Sequence, residues 1–354
     1  MSTLNEVAQL AGVTTATVSN VLRNPSKVKP ATVERVKAAI AATGYQPNLI
    51  ARALAEGRVS MVALVLPDIA NPFYPEFVRV AERAARQRDF FLMVCNTDER
   101  PDIGLAYLNR IAGRLADGVL VLHAGISTAD IRALQGRRSP VVLASEEMVD
   151  FSDQIPHVVV DLHRAGEIAA QHLLELGHTR IGAVVGRGLE SLQCSRLAGF
   201  KSALNAASVQ LEDACIRETS DTVAGGHEAA DYLIENHPDI TAIFTTNDLM
   251  AFGVSQALAN RGLRIPEDVS LIGITDIRLA RDMRPALTTV ALRIEEIATT
   301  SVNLLLDLID NPKHTPTVVR VPEPELVIRA STGRPRSQPT KRRRATSSVK
   351  EKVA

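Results

Sequence analysis

The stretch "TLNEVAQLAGVTTATVSNVL", residues 3–22, predicts a short helix, a break and a second short helix. Thr3 and Glu6 have the spacing of a capping box, in which each side chain binds the backbone of the other residue. The apolar residues that follow recur on one helical face: Val7, Leu10 and Ala11. Gly12 is predicted to end the first helix, and Thr14 is predicted to cap the second.

The second helix presents small or hydrogen-bonding residues where a core helix would carry bulk. A third helix from Ala31 has Val33, Val36 and Ile40 at helical spacing. In a helix-turn-helix motif the second helix enters the major groove, where Thr and Ala contact thymine methyl groups and Asn pairs with adenine. An ordinary amphipathic surface helix fits the composition of residues 12–22 equally well. The capping box, the glycine turn, the third helix and the local charge favour DNA binding.

Charge is strongly segregated along the 354 residues, although the formal net charge is zero. Residues 1–60 carry seven Lys/Arg and three Asp/Glu, and residues 334–354 carry eight and one. Basic ends around an acidic body indicate that the ends meet polyanions. Three cysteines without metal-ligand spacing indicate reduced thiols. With no signal peptide and no membrane span in the sequence, we expect a cytoplasmic protein.

From Val59 onward, apolar runs of strand length alternate with amphipathic helices. Runs such as "SMVALVLP" and "RIGAVVG" lack polar alternation, which is typical of parallel strands covered on both faces. The series restarts near "HVVVD", which predicts two α/β halves of roughly 100 residues each. In such folds ligands bind beyond the carboxyl ends of the strands, so we expect a cleft there.

Ordered blocks along almost the whole chain resemble the LacI/GalR family of bacterial transcriptional regulators. They are "VAxxAGVxxxTVSxVL", "GYxPN", "ARxL", "HLLELGHTRIG", "RLAGF", "TTNDLMAFG" and "PALTTV", in matching order and spacing to about residue 330. The resemblance implies an α/β fold class: an N-terminal helix-turn-helix headpiece plus a two-lobed effector domain similar to periplasmic binding proteins. It implies no cofactor and no enzymatic activity.

The resemblance also implies which residues meet DNA. Those matching Thr15, Ala16 and Asn20 set sequence preference in relatives, and many relatives carry Arg where this chain has Asn20. The helix "NLIARALAEG" matches a hinge that enters the minor groove, with Leu54 as the wedge; in the unbound state Leu54 is expected to be a small core residue. The full predicted DNA-binding set is Thr3, Leu4, Thr14, Thr15, Ala16, Thr17, Ser19, Asn20, Asn24, Tyr45, Asn48, Ala51 and Leu54.

For the effector, the resemblance and the strand ends point to one cleft. The predicted effector-binding set is Asn71, Phe73, Tyr74, His123, Ser145, Glu146, Asp161, Arg196, Asn247, Thr275 and Asp276. Sugar-responsive relatives often have an Asp pair or Asp-Asn at Thr275-Asp276 and Asp-Arg at Ser145-Glu146. A hexose or pentose is the expected class, with a sugar acid or an aromatic compound as alternatives. Asp248 was open to two interpretations, a ligand contact or the N-cap of its helix.

We expect a DNA-binding domain at 1–47, a hinge helix and linker at 48–58, an effector domain at 59–330 and a disordered basic tail at 331–354. The two lobes are predicted as 59–159 with 290–318, and 160–289 with 319–330. The expected partners are a pseudo-palindromic double-stranded operator, a small-molecule effector and a second copy of the chain, as a dimer or tetramer, with no membrane. A solute-binding protein or an enzyme is the competing class; "GAVVGRG" lacks the rest of a phosphate-loop motif.

Overall fold

The computed structural model describes residues 2–46, 58–111, 115–123, 125–134, 139–146, 155–187, 190–311 and 318–336. The chain divides into two compact units, Met1–Ser60 and Met61–Ala354. Except for Arg58, the predicted hinge at 48–58 lies outside the described residues. Within the described residues, no helix is both long and apolar enough to cross a membrane.

The first unit contains three helices among its described residues: α1 (Leu4–Ala11), α2 (Thr15–Arg23) and α3 (Pro30–Thr43). The predicted capping box is confirmed, because Glu6 N donates to Thr3 Oγ1 at 3.3 Å and Thr3 N donates to Glu6 Oε2 at 3.2 Å. Gly12 ends α1 with φ 63°, a left-handed conformation that glycine adopts without a steric cost.

The headpiece core is built from small aliphatic side chains. Its buried members are Val7, Ala8, Ala11, Val18, Val21, Val33, Val36 and Ala39. Leu22, at the same helical spacing as Val18, is instead 37% exposed. Helix α2 ends at Arg23, so its buried stripe stops at Val21 and the last turn faces solvent.

The second unit holds two six-stranded sheets, as the restarted strand series predicts. The first has the order β11-β5-β4-β3-β1-β2, and all of its pairings are parallel. Its strands are β1 (Met61–Leu66), β2 (Phe91–Asn96), β3 (Gly118–Leu122), β4 (Val141–Glu146), β5 (His157–Val159) and β11 (Val318–Arg320).

The second sheet has the order β12-β10-β9-β8-β6-β7 and is parallel except that β12 runs antiparallel to β10. Its strands are β6 (Ile181–Gly186), β7 (Ile216–Thr219), β8 (Ala242–Thr245), β9 (Ser270–Thr275), β10 (Thr288–Ala291) and β12 (Glu325–Val327). Buried Val, Ile, Leu and Ala fill the central strands, because helices cover both faces.

Helices alternate with these strands along the chain. They are α4 (Phe73–Gln87), α5 (Pro101–Ile111), α6 (Thr128–Leu134), α7 (Leu162–Glu175), α8 (Glu190–Ala206), α9 (Val223–Asn236), α10 (Asp248–Asn260), α11 (Arg278–Asp282) and α12 (Ile294–Asp310). Helix α12 packs on α4 and on strands of the first sheet, whereas α7 packs on α8, and α9 on α10, in the second lobe.

The lobe boundaries differ by a few residues from the predicted ones. Strand β10, Thr288–Ala291, lies wholly in the second sheet, and β11, Val318–Arg320, lies wholly in the first. A boundary at 290 would divide β10, and a boundary at 318 would separate the first residue of β11 from the rest of that strand. The chain instead passes from one lobe to the other in the segments between these elements.

Residues 331–336 are packed against the second lobe, so the predicted start of a disordered tail at 331 was wrong. Ser331 is fully buried; its hydroxyl donates to Leu271 O at 2.5 Å and accepts from Thr288 N at 2.8 Å. The Gly333 carbonyl lies 2.8 Å from His178 Nε2. Composition suggested a disordered end, but the segment supplies hydrogen-bond partners to buried groups. Residues 337–354 lie outside the described part of the chain.

Candidate DNA-binding face and effector cavity

The start of helix α2 forms one exposed face of the headpiece. Thr14 caps the helix, as predicted, by accepting from Thr17 N at 3.2 Å. A shallow concavity beside it is lined by Leu4, Thr15, Ala16, Ser19 and Asn20. All five belong to the predicted DNA-binding set, and no side chain among them is bulky enough to keep the helix out of a groove.

The remaining predicted DNA contacts lie elsewhere on the headpiece or outside the described residues. The hydroxyls of Thr14 and Thr17 bond to each other at 3.0 Å. Asn24 is exposed at the end of α2, and Tyr45 packs half-buried against the headpiece core. The structure places Thr3 at the cap of α1. The last three predicted contacts fall outside the described residues: Asn48, Ala51 and Leu54.

A small cavity, partly open to solvent, lies at the carboxyl ends of strands from both sheets. It is lined by Asn71, Phe73, Tyr74, His123, Gln193, Arg196, Asp221, Asn247, Leu249, Thr275 and Ile277. The structure thus brings together most of the predicted effector-binding set.

Two predicted effector residues, Asp161 and Asp276, stand apart from this lining, and the side chains of two more are not described. Asp161 is exposed and caps α7, accepting from Arg164 N at 2.7 Å. Asp276 pairs with Arg329, whose Nη2 lies 2.5 Å from its Oδ1. The last two, Ser145 and Glu146, end strand β4, and their side chains lie outside the described part of the structure.

Sequence reasoning missed Gln193, Asp221, Leu249 and Ile277 among the lining residues. Asp221 lies two residues beyond the end of β7, so the strand-end rule that found the others would have found it. Gln193 precedes Arg196 by three residues on α8, which places both on one helical face.

Aromatic rings form one wall of the cavity. The Phe73 and His123 rings stack with centroids 5.8 Å apart, and Tyr74 meets Phe73 edge-on at 5.2 Å. Burial, reinforced by the charge of Asp221, raises the pKa of Tyr74, so its phenol stays protonated and can donate a hydrogen bond. Phe73, a predicted effector residue, therefore has two ring neighbours in this wall, Tyr74 and His123.

Arg196 is the buried cation of the cavity and is 5% exposed. Its Nη1 donates to Thr246 O at 2.6 Å. Two glycines let α7 and α8 approach closely enough to hold it. A Cβ on Gly166 would lie 1.9 Å from Arg196 O, and one on Gly199 would lie 1.8 Å from His163 O.

The structure shows which of the two neighbours, Asn247 or Asp248, caps helix α10. Asn247 is the N-cap of α10 and accepts from Met250 N at 2.9 Å, so the interpretation of Asp248 as the cap was wrong. Asp248 is fully buried and accepts from Thr289 Oγ1 at 2.6 Å and from Ile277 N at 3.1 Å. Burial raises the pKa of Asp248 to about 6. These bonds fix the loop that brings Thr275 and Ile277 to the cavity.

One hydrogen bond joins the two lobes beside the cavity. Arg278 N, at the start of α11, donates to Glu76 Oε1 of α4 at 2.7 Å. The preceding residue, Ile277, lines the cavity. The separation of the lobes and the shape of the cavity are therefore tied together at this point.

Residues 3–48 match the family described as "Bacterial regulatory proteins, lacI family", and residues 170–332 match a "Periplasmic binding protein-like domain". The chain is 33% identical to Catabolite control protein A of Priestia megaterium over 321 residues, 90% of this chain and 96% of that protein.

Two solved structures resemble the whole described molecule. A complex of the transcriptional regulator CelR with cellobiose shares 30% identity, a TM-score of 0.69 and coverage of 94% and 100% of the two chains. The Lac repressor dimer bound to operator and the anti-inducer ONPF shares 25% identity, a TM-score of 0.80 and coverage of 94% and 99%. The sequence motifs, the helix-turn-helix face and the two-lobed cavity agree with these matches, and the chain belongs to the LacI family of bacterial transcriptional regulators.

Proposed function

We propose that this regulator is a repressor whose affinity for its operator is controlled by a small metabolite bound between the two lobes. The observation that carries the proposal is the presence in one chain of an exposed polar recognition face on α2 and a polar cavity with a buried Arg196. Arg196 lines the cavity, and a guanidinium offers five N–H donors that bind an anion or the hydroxyl oxygens of a ligand through charge-assisted hydrogen bonds.

In this proposal α2 reads the major groove. Thr15 and Ala16 contact thymine methyl groups, and Asn20 pairs with an adenine edge. Thr17 and Ser19 support contacts to the sugar-phosphate backbone, which fix register without reading sequence. The hinge helix then enters the minor groove, where Leu54 unstacks a base step and bends the duplex.

We further infer that two copies bind a pseudo-palindromic operator, since two headpieces require two half-sites. Strand β2 is an edge of the first sheet and leaves Phe91 63% and Val94 40% exposed. Apolar side chains on an open sheet edge favour pairing with another chain, and a second copy fits this role. Such a complex works in the cytoplasm, where the operator lies.

The effector is proposed to act through lobe closure. Ligand in the cavity favours one separation of the lobes, and that separation sets whether the paired hinge helices meet in the minor groove. An inducer lowers operator affinity and a corepressor raises it; in either case the two ligands affect each other reciprocally. The cellobiose bound by CelR supports a sugar as the expected class.

A gel-shift experiment tests the proposal. The full chain is incubated with DNA from upstream of its own gene, with and without an extract of cell metabolites. We expect a shifted band at nanomolar protein whose intensity changes when the extract is added. A solute-binding protein or an enzyme would bind metabolite without shifting the DNA, and that result would overturn the proposal. Sedimentation of the same sample checks the dimer, which Phe91→Asp is expected to weaken.

A further inference from the structure

Asp221 carries the sole carboxylate among the described residues that line the cavity. It lies between β7 and α9, and its Oδ2 accepts from Gln193 Nε2 at 2.9 Å. Two acceptor atoms, the other carboxylate oxygen Asp221 Oδ1 and the amide oxygen Gln193 Oε1, are buried and have no hydrogen-bond partner in the part of the chain that is described. Buried acceptors without donors are costly, so a ligand that donates hydrogen bonds would relieve them.

The backbone of β6 is shaped around this carboxylate. A Cβ on Gly186 would lie 1.3 Å from Asp221 Oδ1, so any side chain at residue 186 would displace Asp221. Gly186 is the last residue of β6 and has no positive φ to explain it. The requirement for glycine here is therefore one of space, and the space is occupied by the carboxylate.

The neighbouring carboxylates are already engaged. Asp276 pairs with Arg329, and both oxygens of Asp248 accept hydrogen bonds from the protein. Thr275 lines the cavity at the end of β9, and a threonine hydroxyl cannot accept in the bidentate manner of Asp. Among the described lining residues, the loop after β7 therefore supplies the bidentate acceptor, Asp221.

The charge of Asp221 restricts which ligands fit. Burial raises the pKa of Asp221, and the charge of Arg196, which lines the same cavity, opposes that rise. An anionic ligand approaching Arg196 would also approach Asp221 and would be repelled by it. Hydroxyl groups avoid the conflict, because one hydroxyl can donate to Asp221 while another accepts from Arg196.

We propose that Asp221 is the carboxylate that accepts hydrogen bonds from the effector, and that it selects neutral polyhydroxylated ligands over sugar acids. This inference rests on the proposed function, since it concerns the ligand of the same cavity. Gly186 leaves space for the carboxylate, and Gln193 holds it by a hydrogen bond. Asp221 Oδ1 and Gln193 Oε1 can then accept hydrogen bonds from ligand hydroxyl groups.

The test compares ligand binding by the full chain and three variants. The probes are D-glucose, D-galactose, D-ribose, D-xylose and cellobiose, with D-gluconate and D-galacturonate as acids. Melting-temperature shifts identify binders, and calorimetry measures their Kd. We expect at least one neutral sugar to stabilise the protein and neither acid to do so. Asp221→Asn and Asp221→Ala are expected to weaken that sugar about 10- to 100-fold.

Asp213→Asn is the matched control, because Asp213 is an exposed carboxylate of the same lobe, and it should leave the Kd unchanged. Circular dichroism and the melting temperature without ligand show that each variant is folded. Binding of an acid without any neutral sugar, no binding by any neutral sugar, or an unchanged Kd in folded Asp221→Asn would each overturn the inference.

The same samples separate this inference from the proposed function. If a neutral sugar binds through Asp221 but does not change the affinity for DNA, the proposed control of DNA binding is wrong and the role of Asp221 stands. If the sugar changes DNA affinity equally in the wild-type chain and in Asp221→Asn, the role of Asp221 fails and the control of DNA binding stands.

Discussion

Asn20 is the residue that most distinguishes the recognition face of this chain. It is exposed on α2 and shares the concavity with Thr15 and Ala16. The family resemblance implies an Arg at this position in many relatives, and an Arg would read guanine where an Asn amide reads adenine. The operator half-site of this protein should therefore differ at one base pair or more from the half-sites of such relatives.

Substitution of Asn20 tests that reading directly. Asn20→Ala should relax the preference at one position of each half-site, because a bidentate amide contact contributes about 1–3 kcal/mol of discrimination. Selection of bound sequences from random DNA measures the change. Gln9→Ala, on the exposed side of α1, is the control and should leave the selected sequence intact. An unchanged selected sequence for Asn20→Ala would show that Asn20 reads no base.

Several individual roles could be predicted from sequence because they depend on local spacing. The capping box of Thr3 and Glu6 and the cap at Thr14 involve residues three apart, and the structure confirms both. The pairing of Asp276 with Arg329 could not be predicted, since it joins residues 53 positions apart. Long-range pairs of this kind decide which carboxylates remain available in the cavity.

At the scale of elements, the close approach of α7 and α8 positions the buried cation. Gly166 faces the carbonyl of Arg196, and Gly199 faces the carbonyl of His163, so each helix contacts the other's backbone. The strand and helix rhythm was predictable from apolar runs, but the reciprocal glycine contact was not, because helical periodicity does not say which helices cross.

Gly166→Ala should disturb both stability and the cavity. The added methyl group would overlap Arg196 O, so the helices must separate, and overpacking of this kind costs about 1–3 kcal/mol in the free energy of unfolding. Urea unfolding measures that loss, and effector affinity should fall because Arg196 moves with its backbone. Ser202→Ala, on the exposed face of α8, is the control. Full stability in Gly166→Ala would mean that the helices do not need this contact.

In the whole molecule, the chain continues along the second lobe after its last strand, β12, and completes a buried polar network. His172 and His178 lie in that lobe, and burial lowers the pKa of both, so they are neutral at pH 7. A neutral His178 donates from Nε2 to Gly333 O and accepts at Nδ1 from Thr241 Oγ1. Composition alone could not reveal these partners, because "STGRPR" has few apolar residues.

Truncation measures the contribution of this segment. A chain ending at Ala330 should lose on the order of 3 kcal/mol in the free energy of unfolding, because it removes hydrogen-bond partners of buried groups of His178, Ser270 and Leu271. A chain ending at Arg336 keeps them and should unfold at the same urea concentration as the full protein. Equal midpoints for the two truncated chains would contradict this role.

Sugar binding and operator binding are proposed to be coupled, and titration calorimetry of one ligand in the presence of the other measures that coupling. The affinity of the full chain for its most stabilising neutral sugar is measured with and without a saturating operator duplex. If the two binding events are coupled, the two Kd values for the sugar differ by roughly 5- to 150-fold, and the sugar changes operator affinity by the same ratio. Equal sugar affinity in the presence and absence of operator would contradict it.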